Sequence, residues 1–248
     1  MTGPGSRPAP GPGTARSRPR SRRVWALPVV AVAAGTALVA TYLTSGPGGA
    51  RSGARDGLHH ALLTGHVLTA FVALVLGPPQ LVPALRARRR VHRALGRAYL
   101  LAGVLPAALT GVPVALLSGR TVTQVGLTVP ALGWLVTGWL AYCAARGRDF
   151  EAHRRWMMRN YALTFLAVTA RAVVPVLLIA GAPFRDDAAG GGAVDDVIPV
   201  GQVLGWVVNL AVAEVLIRRR AAGRRRPPRR RRRGARRRGW RPVRDGGT

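Results

Sequence analysis

The stretch LHHALLTGHVLTAFVALVLGPP at positions 58–79, followed at 80–97 by QLVPALRARRRVHRALGR, decides the fold. Its first part holds no Asp, Glu, Lys or Arg, and it is long enough to cross a bilayer, which takes about 20 apolar residues at roughly 1.5 Å each. Its second part holds Arg86, Arg88, Arg89, Arg90, Arg93 and Arg97 and no acid. An apolar run ending on a basic block reads as a transmembrane helix reaching the cytoplasm.

Five further runs of the same kind flank it: Val24 to Leu43, Gly96 to Ser118, Val125 to Ala145, Tyr161 to Gly181 and Ile198 to Ile217. Basic residues sort between the connections. All but Arg51, Arg55, Arg120, Arg171 and Arg185 lie before the first run, between the second and third, between the fourth and fifth, or after the sixth. The opposite connections carry Asp56, Asp186, Asp187, Asp195 and Asp196. This is the positive-inside pattern. The expected fold is all-α, an integral membrane bundle of six transmembrane helices with both termini cytoplasmic.

The chain has 248 residues and a formal net charge of +29. Six spans leave no room for a separate soluble catalytic domain. In a soluble protein such a charge would point to nucleic acid. Here it is expected to set topology and to meet the lipid bilayer's anionic headgroups, at about 1 kcal/mol per residue near the surface. Nucleic acid is not expected as a partner, because the tail's Trp240 stands alone where stacking needs a series of aromatics. Every basic residue is arginine, a bias matching a GC-rich genome. The single cysteine, Cys143, can form neither an internal disulfide nor a thiolate metal site by itself.

Residues 1–23 are rich in Pro, Gly, Ser and Arg and are expected to be a disordered basic segment. Residues 24–217 form the transmembrane domain. Residues 218–248 are expected to be a disordered Arg-rich cytoplasmic tail. Ser21 to Leu27 resembles a twin-arginine export signal, but five more spans follow, so an uncleaved anchor is expected. Pro106, Pro113, Pro130 and Pro175 fall inside spans, where kinks are expected.

Two groups of residues can carry chemistry. The first is a mid-membrane polar layer of His66, Arg171 and Asn209, at depths of roughly 12, 16 and 12 Å by residue count. A charge at the depth of Arg171 costs between about 3 and 10 kcal/mol unless paired or hydrated, so Arg171 is expected to face the bundle interior. The second lies at the cytoplasmic surface. His92, Arg93, Arg97 and Tyr99 open the third span; His153, Arg154, Trp156, Arg159 and Tyr161 open the fifth. Both segments read His-Arg and then Arg-x-Tyr, a weak internal repeat. Tyr99, Trp156 and Tyr161 suit an interfacial aromatic belt. His92 and His153 suit, alternatively, the axial ligands of a b-type haem, with His66 as a further candidate ligand. No phosphate loop, Ser-His-Asp set or metalloprotease spacing is present, and a non-enzymatic role is the expectation.

The segments Gly65-His66, Leu76 to Gln80, Arg86, His92 to Tyr99, Ala152 to Thr164 and Val168 to Arg171 resemble a family of uncharacterised bacterial membrane proteins, domain of unknown function 2306. The resemblance covers Gly65 to Gly181, within a family-like core at 58–181. It implies a polytopic domain in a bacterial cell membrane and assigns no reaction or cofactor. Two functions are carried forward: a small transporter or membrane-stress component using the Arg171 and His66 layer, and a haem b electron carrier resembling the cytochrome b561 group. The oligomeric state is open, a homo-oligomer included.

Overall fold

A computed structural model describes residues 20–44, 57–181 and 192–225. Every regular element among them is helical: α1 (Arg20–Thr44), α2 (Gly57–Leu76), a 3-10 turn (Pro78–Leu81), α3 (Pro83–Ala87), α4 (Arg89–Ala98), a π-helical segment (Tyr99–Val104), α5 (Leu105–Leu116), α6 (Thr121–Arg146), α7 (Phe150–Thr164), α8 (Leu166–Gly181) and α9 (Gly192–Arg225). Segments 1–19, 45–56, 182–191 and 226–248 lie outside the described residues, and with them most of the two expected disordered termini. Helix reaches back to Arg20 and on to Arg225, past the expected domain edges at 23 and 218.

Five helical stretches are long and apolar enough to cross a membrane: Trp25–Thr44, Gly57–Leu81, Arg89–Leu116, Thr121–Arg146 and Asp196–Gly223. α7 and α8 pass the same test as a pair, bent by 47° at the break between them, which makes them the candidate for a sixth crossing. Leu58, Leu101, Leu109, Val136, Val176 and Ile179 all lie exposed on the outside of the bundle. In water such a surface would be an aggregation hazard; against lipid tails it is the expected exterior.

α6 packs along α7, α8 along α9, α2 along α5, and α1 along α2. The buried centre includes Ala73, Tyr99, Val104, Ala107, Trp134 and Leu163. Small residues let these helices approach closely. A methyl group at Gly111 would lie 2.7 Å from Nδ1 of His66, so the histidine ring occupies the room that the glycine leaves.

Two irregularities shape the arginine-rich end. The third crossing is α-helical up to Ala98, then π-helical for one and a half turns, then α-helical again. A π segment holds one extra residue, which rotates everything before it relative to everything after it. The fifth crossing breaks at Phe165, whereas the expected site of bending was Pro175; α8 runs unbroken through that proline. Asn209 of α9 supports the break. Its Nδ2 donates to the Ala162 carbonyl at 3.0 Å, and its Oδ1 accepts from the Thr169 hydroxyl at 2.8 Å.

Candidate functional site

Three chain segments close a cleft of about 230 Å³ at the arginine-rich end of the bundle. Gly77, Gln80 and Leu81 come from the end of the second crossing, Arg86 from α3, His92 from α4, and Phe150, His153, Arg154, Met157 and Tyr161 from α7. The two His-Arg segments, some sixty positions apart in sequence, thus face one another.

Local chemistry explains how each wall is built. Pro78 and Pro79 cannot continue α2, so the chain tightens into the 3-10 turn. The Gln80 amide then donates back to the Leu76 carbonyl at 3.3 Å, satisfying an acceptor at the end of α2. On the other wall, Arg148 adopts a left-handed backbone (φ 59°) after Gly147 and turns the chain through the α6–α7 corner. Asp149 caps α7, its Oδ1 accepting from the backbone N–H groups of Glu151 (3.1 Å) and Ala152 (2.8 Å).

Nδ1 of His153 lies 2.9 Å from the Ala141 carbonyl oxygen. A carbonyl only accepts, so Nδ1 carries the proton and a neutral ring keeps its lone pair at Nε2. His92 is half-buried, and its Nδ1 is buried without a hydrogen-bond partner among the described residues. No residue lining the cleft is acidic. Among the described residues Arg86 and Arg154 form no ion pair, whereas Arg159 and Arg218 share Glu214. Partial burial, and then the positive charges of Arg154 and Arg220, hold the Arg86 guanidinium below its ordinary value. The arginine stays charged, and the direction records burial first and crowding of like charge second.

A buried polar network supports α7 beneath the cleft. The Tyr99 hydroxyl donates to Oδ1 of Asn160 at 2.5 Å and lies 2.7 Å from the Thr164 hydroxyl. Thr164 accepts the Trp134 indole N–H at 3.0 Å. Nδ2 of Asn160 donates to the Trp134 carbonyl (2.7 Å) and to the Thr137 hydroxyl (2.9 Å). Asn160 and Tyr99 are fully buried. In a low-dielectric interior such a network is stable only because its members are satisfied.

This corrects the placement of two aromatics. Tyr99 and Tyr161 do not form an interfacial belt; both are buried, because each hydroxyl finds an internal acceptor. For Tyr161 it is the Leu74 carbonyl at 3.3 Å. The ring seats directly on Gly77, where any side chain would collide with it. Trp156 is half-buried, with the Arg159 guanidinium 4.9 Å above its ring. Arg93 and Arg97 are exposed, and Nε of Arg93 reaches only the Arg89 carbonyl of its own helix among the described residues.

The expected mid-membrane layer is not brought together. Nδ1 of His66 bonds the Ala107 carbonyl at 2.8 Å, and Asn209 is occupied at the α7–α8 break. Arg171 was expected to face the interior; it is exposed, with Nη1 3.4 Å from the Ala167 carbonyl one turn back. It is Ala170 rather than Arg171 that α8 packs on α9, against Gly205. Sequence reasoning missed the roles of Arg86, Asn160, Thr164 and Trp134. Asn160 and Thr164 were detectable as polar residues beside an apolar run, where an intramembrane amide needs partners.

A family model described as a predicted membrane protein, DUF2306, matches residues 63–217. The match runs through the sixth crossing, further than the resemblance read between Gly65 and Gly181. No curated protein and no solved structure matches the chain.

Proposed function

The chain belongs to the DUF2306 family of predicted membrane proteins, and on that footing we propose that it binds a small oxyanion in the cleft between its two His-Arg segments. In this reading the arginine-rich end of the bundle and both termini are cytoplasmic, in a bacterial cell membrane. One observation carries the proposal: Arg86, Arg154, His92 and His153 line one cleft that contains no carboxylate. The two guanidinium groups have no carboxylate in the cleft to neutralise them and repel one another until an anion arrives. Guanidinium groups suit the task, since their planar forks meet carboxylate or phosphate oxygens two at a time.

Titration calorimetry of the detergent-solubilised full chain with inorganic phosphate tests this. Each charge-assisted bond is worth about 1.5–3 kcal/mol. Arg86→Ala and Arg154→Ala are therefore each expected to weaken binding by about tenfold, the lower end, because both side chains are partly solvated. Equal affinity in wild type and both variants, or no heat of binding in any, sinks the proposal.

The haem reading keeps one point in its favour, the pair of imidazoles lining the same cleft. Its difficulty is space. Pockets for drug-sized ligands run from roughly 300 to 1,000 Å³, and a tetrapyrrole belongs to that class, whereas this cleft holds about 230 Å³. A visible spectrum of the purified protein decides between them. A Soret band lost on His92→Ala would favour the electron carrier, and a colourless preparation that binds phosphate would favour the oxyanion. The transporter reading has less to recommend it, because His66, Arg171 and Asn209 each bond a different partner.

A further inference from the structure

Resting on the oxyanion reading, we infer that the group held in the cleft is the phosphate of a membrane lipid headgroup, seated between Arg86 and Arg154. Position is the first reason. The second crossing ends at Leu81 and the third begins at Arg89, so the cleft opens at the level where a bilayer places its phosphates. The walls are the second reason. Leu81 and Phe150 line the cleft and are 40% and 69% exposed. Apolar side chains at a mouth are surplus for a hydrated inorganic ion. For a lipid they meet the glycerol and the first methylenes, and covering them adds to the electrostatic attraction.

Size is the third reason. About 230 Å³ admits a headgroup phosphate while the acyl chains stay in the bilayer, where they cost nothing to accommodate. The chemistry of the donors is the fourth. Arg86 and Arg154 supply forks for two phosphate oxygens, and the unpartnered Nδ1 of His92 marks a polar group awaiting a bond. With no acid in the lining, a zwitterionic headgroup finds nothing for its ammonium, so the site favours an anionic lipid.

The full chain carries many other arginines, so the test must separate this cleft from general attraction to an anionic surface. The protein is reconstituted in nanodiscs of phosphatidylglycerol and phosphatidylcholine, re-extracted in mild detergent, and its retained lipid identified by native mass spectrometry. Wild type is expected to keep a stoichiometric phosphatidylglycerol that added inorganic phosphate displaces. The Arg86→Ala/Arg154→Ala pair is expected to lose it by about tenfold or more. A control pair from the same surface but outside the cleft, Arg90→Ala/Arg155→Ala, keeps it. The Arg86→Lys/Arg154→Lys pair, which retains charge and fold but not the planar forks, falls between.

Equal loss in the cleft and control pairs overturns the inference in favour of diffuse surface attraction. Inorganic phosphate binding without lipid retention overturns the lipid source and leaves the oxyanion reading standing. If neither binds, both fall together.

Discussion

At the scale of single residues, Tyr99 and Tyr161 occupy matching places in the two His-Arg segments but carry different loads. Tyr99 donates a 2.5 Å bond to Asn160 inside a closed network, whereas Tyr161 reaches one carbonyl at 3.3 Å. Tyr99→Phe leaves a buried acceptor short and is expected to cost about 1–2 kcal/mol. Tyr161→Phe is expected to cost less, because its bond is longer, and thermal unfolding in detergent compares the two. Asn160→Ala removes three bonds at once and should exceed both. Equal stability of Tyr99→Phe and wild type would mean that the network is ornamental. The motif residues themselves were visible in the sequence: His92 and His153, with Arg154 beside them. Their convergence was not, since nothing local to either segment states what stands opposite. Arg171 shows the other limit. Depth counted along the chain says nothing of which face of α8 meets α9, and that face carries Ala170.

At the scale of elements, the π segment sets the angular position of α4. Its extra residue cannot be read from hydropathy, which is equally apolar on either side of it. Inserting one alanine after Arg97, ahead of that segment, should rotate the rest of α4 by about 100°, one residue at 3.6 per turn. His92 would leave the cleft. The expected result is a folded, fully helical protein by circular dichroism that no longer binds phosphate. Retained binding would show that the angular position of α4 is irrelevant to the site. The fifth span teaches a similar lesson. Its apolar run begins at Tyr161, yet the helix begins at Phe150, because Arg154, Arg155 and Arg159 make its first turns read as a loop. No proline marks Phe165, so only the tertiary partner, Asn209, discloses the break. Asn209→Leu strips the Ala162 carbonyl of its donor and is expected to destabilise the protein by about 1–3 kcal/mol.

At the scale of the whole molecule, arginine placement is the part most legible in the sequence, because hydrocarbon thickness and charge asymmetry act on composition rather than on contacts. Five of the six apolar runs fall on single helices long enough to cross, and the run from Tyr161 falls on the bent α7–α8 pair. The proposed orientation is checked with membrane-impermeant maleimide on a Cys143→Ser background. Arg148→Cys is expected to label in inside-out vesicles only, and Thr121→Cys in right-side-out vesicles only. The reverse pattern would put the cleft on the other side of the membrane.

The most direct test of the cleft follows from the chain having five histidines. Nitrogen-15 labelling of histidine alone gives an imidazole spectrum with few signals, assignable by single substitution. Phosphate titrated into the full-length protein is predicted to shift the signals of His92 and His153 together, along one saturating curve, while those of His59, His60 and His66 stay still. Movement of only one of the two, or of all five alike, would contradict a shared site between the two His-Arg segments.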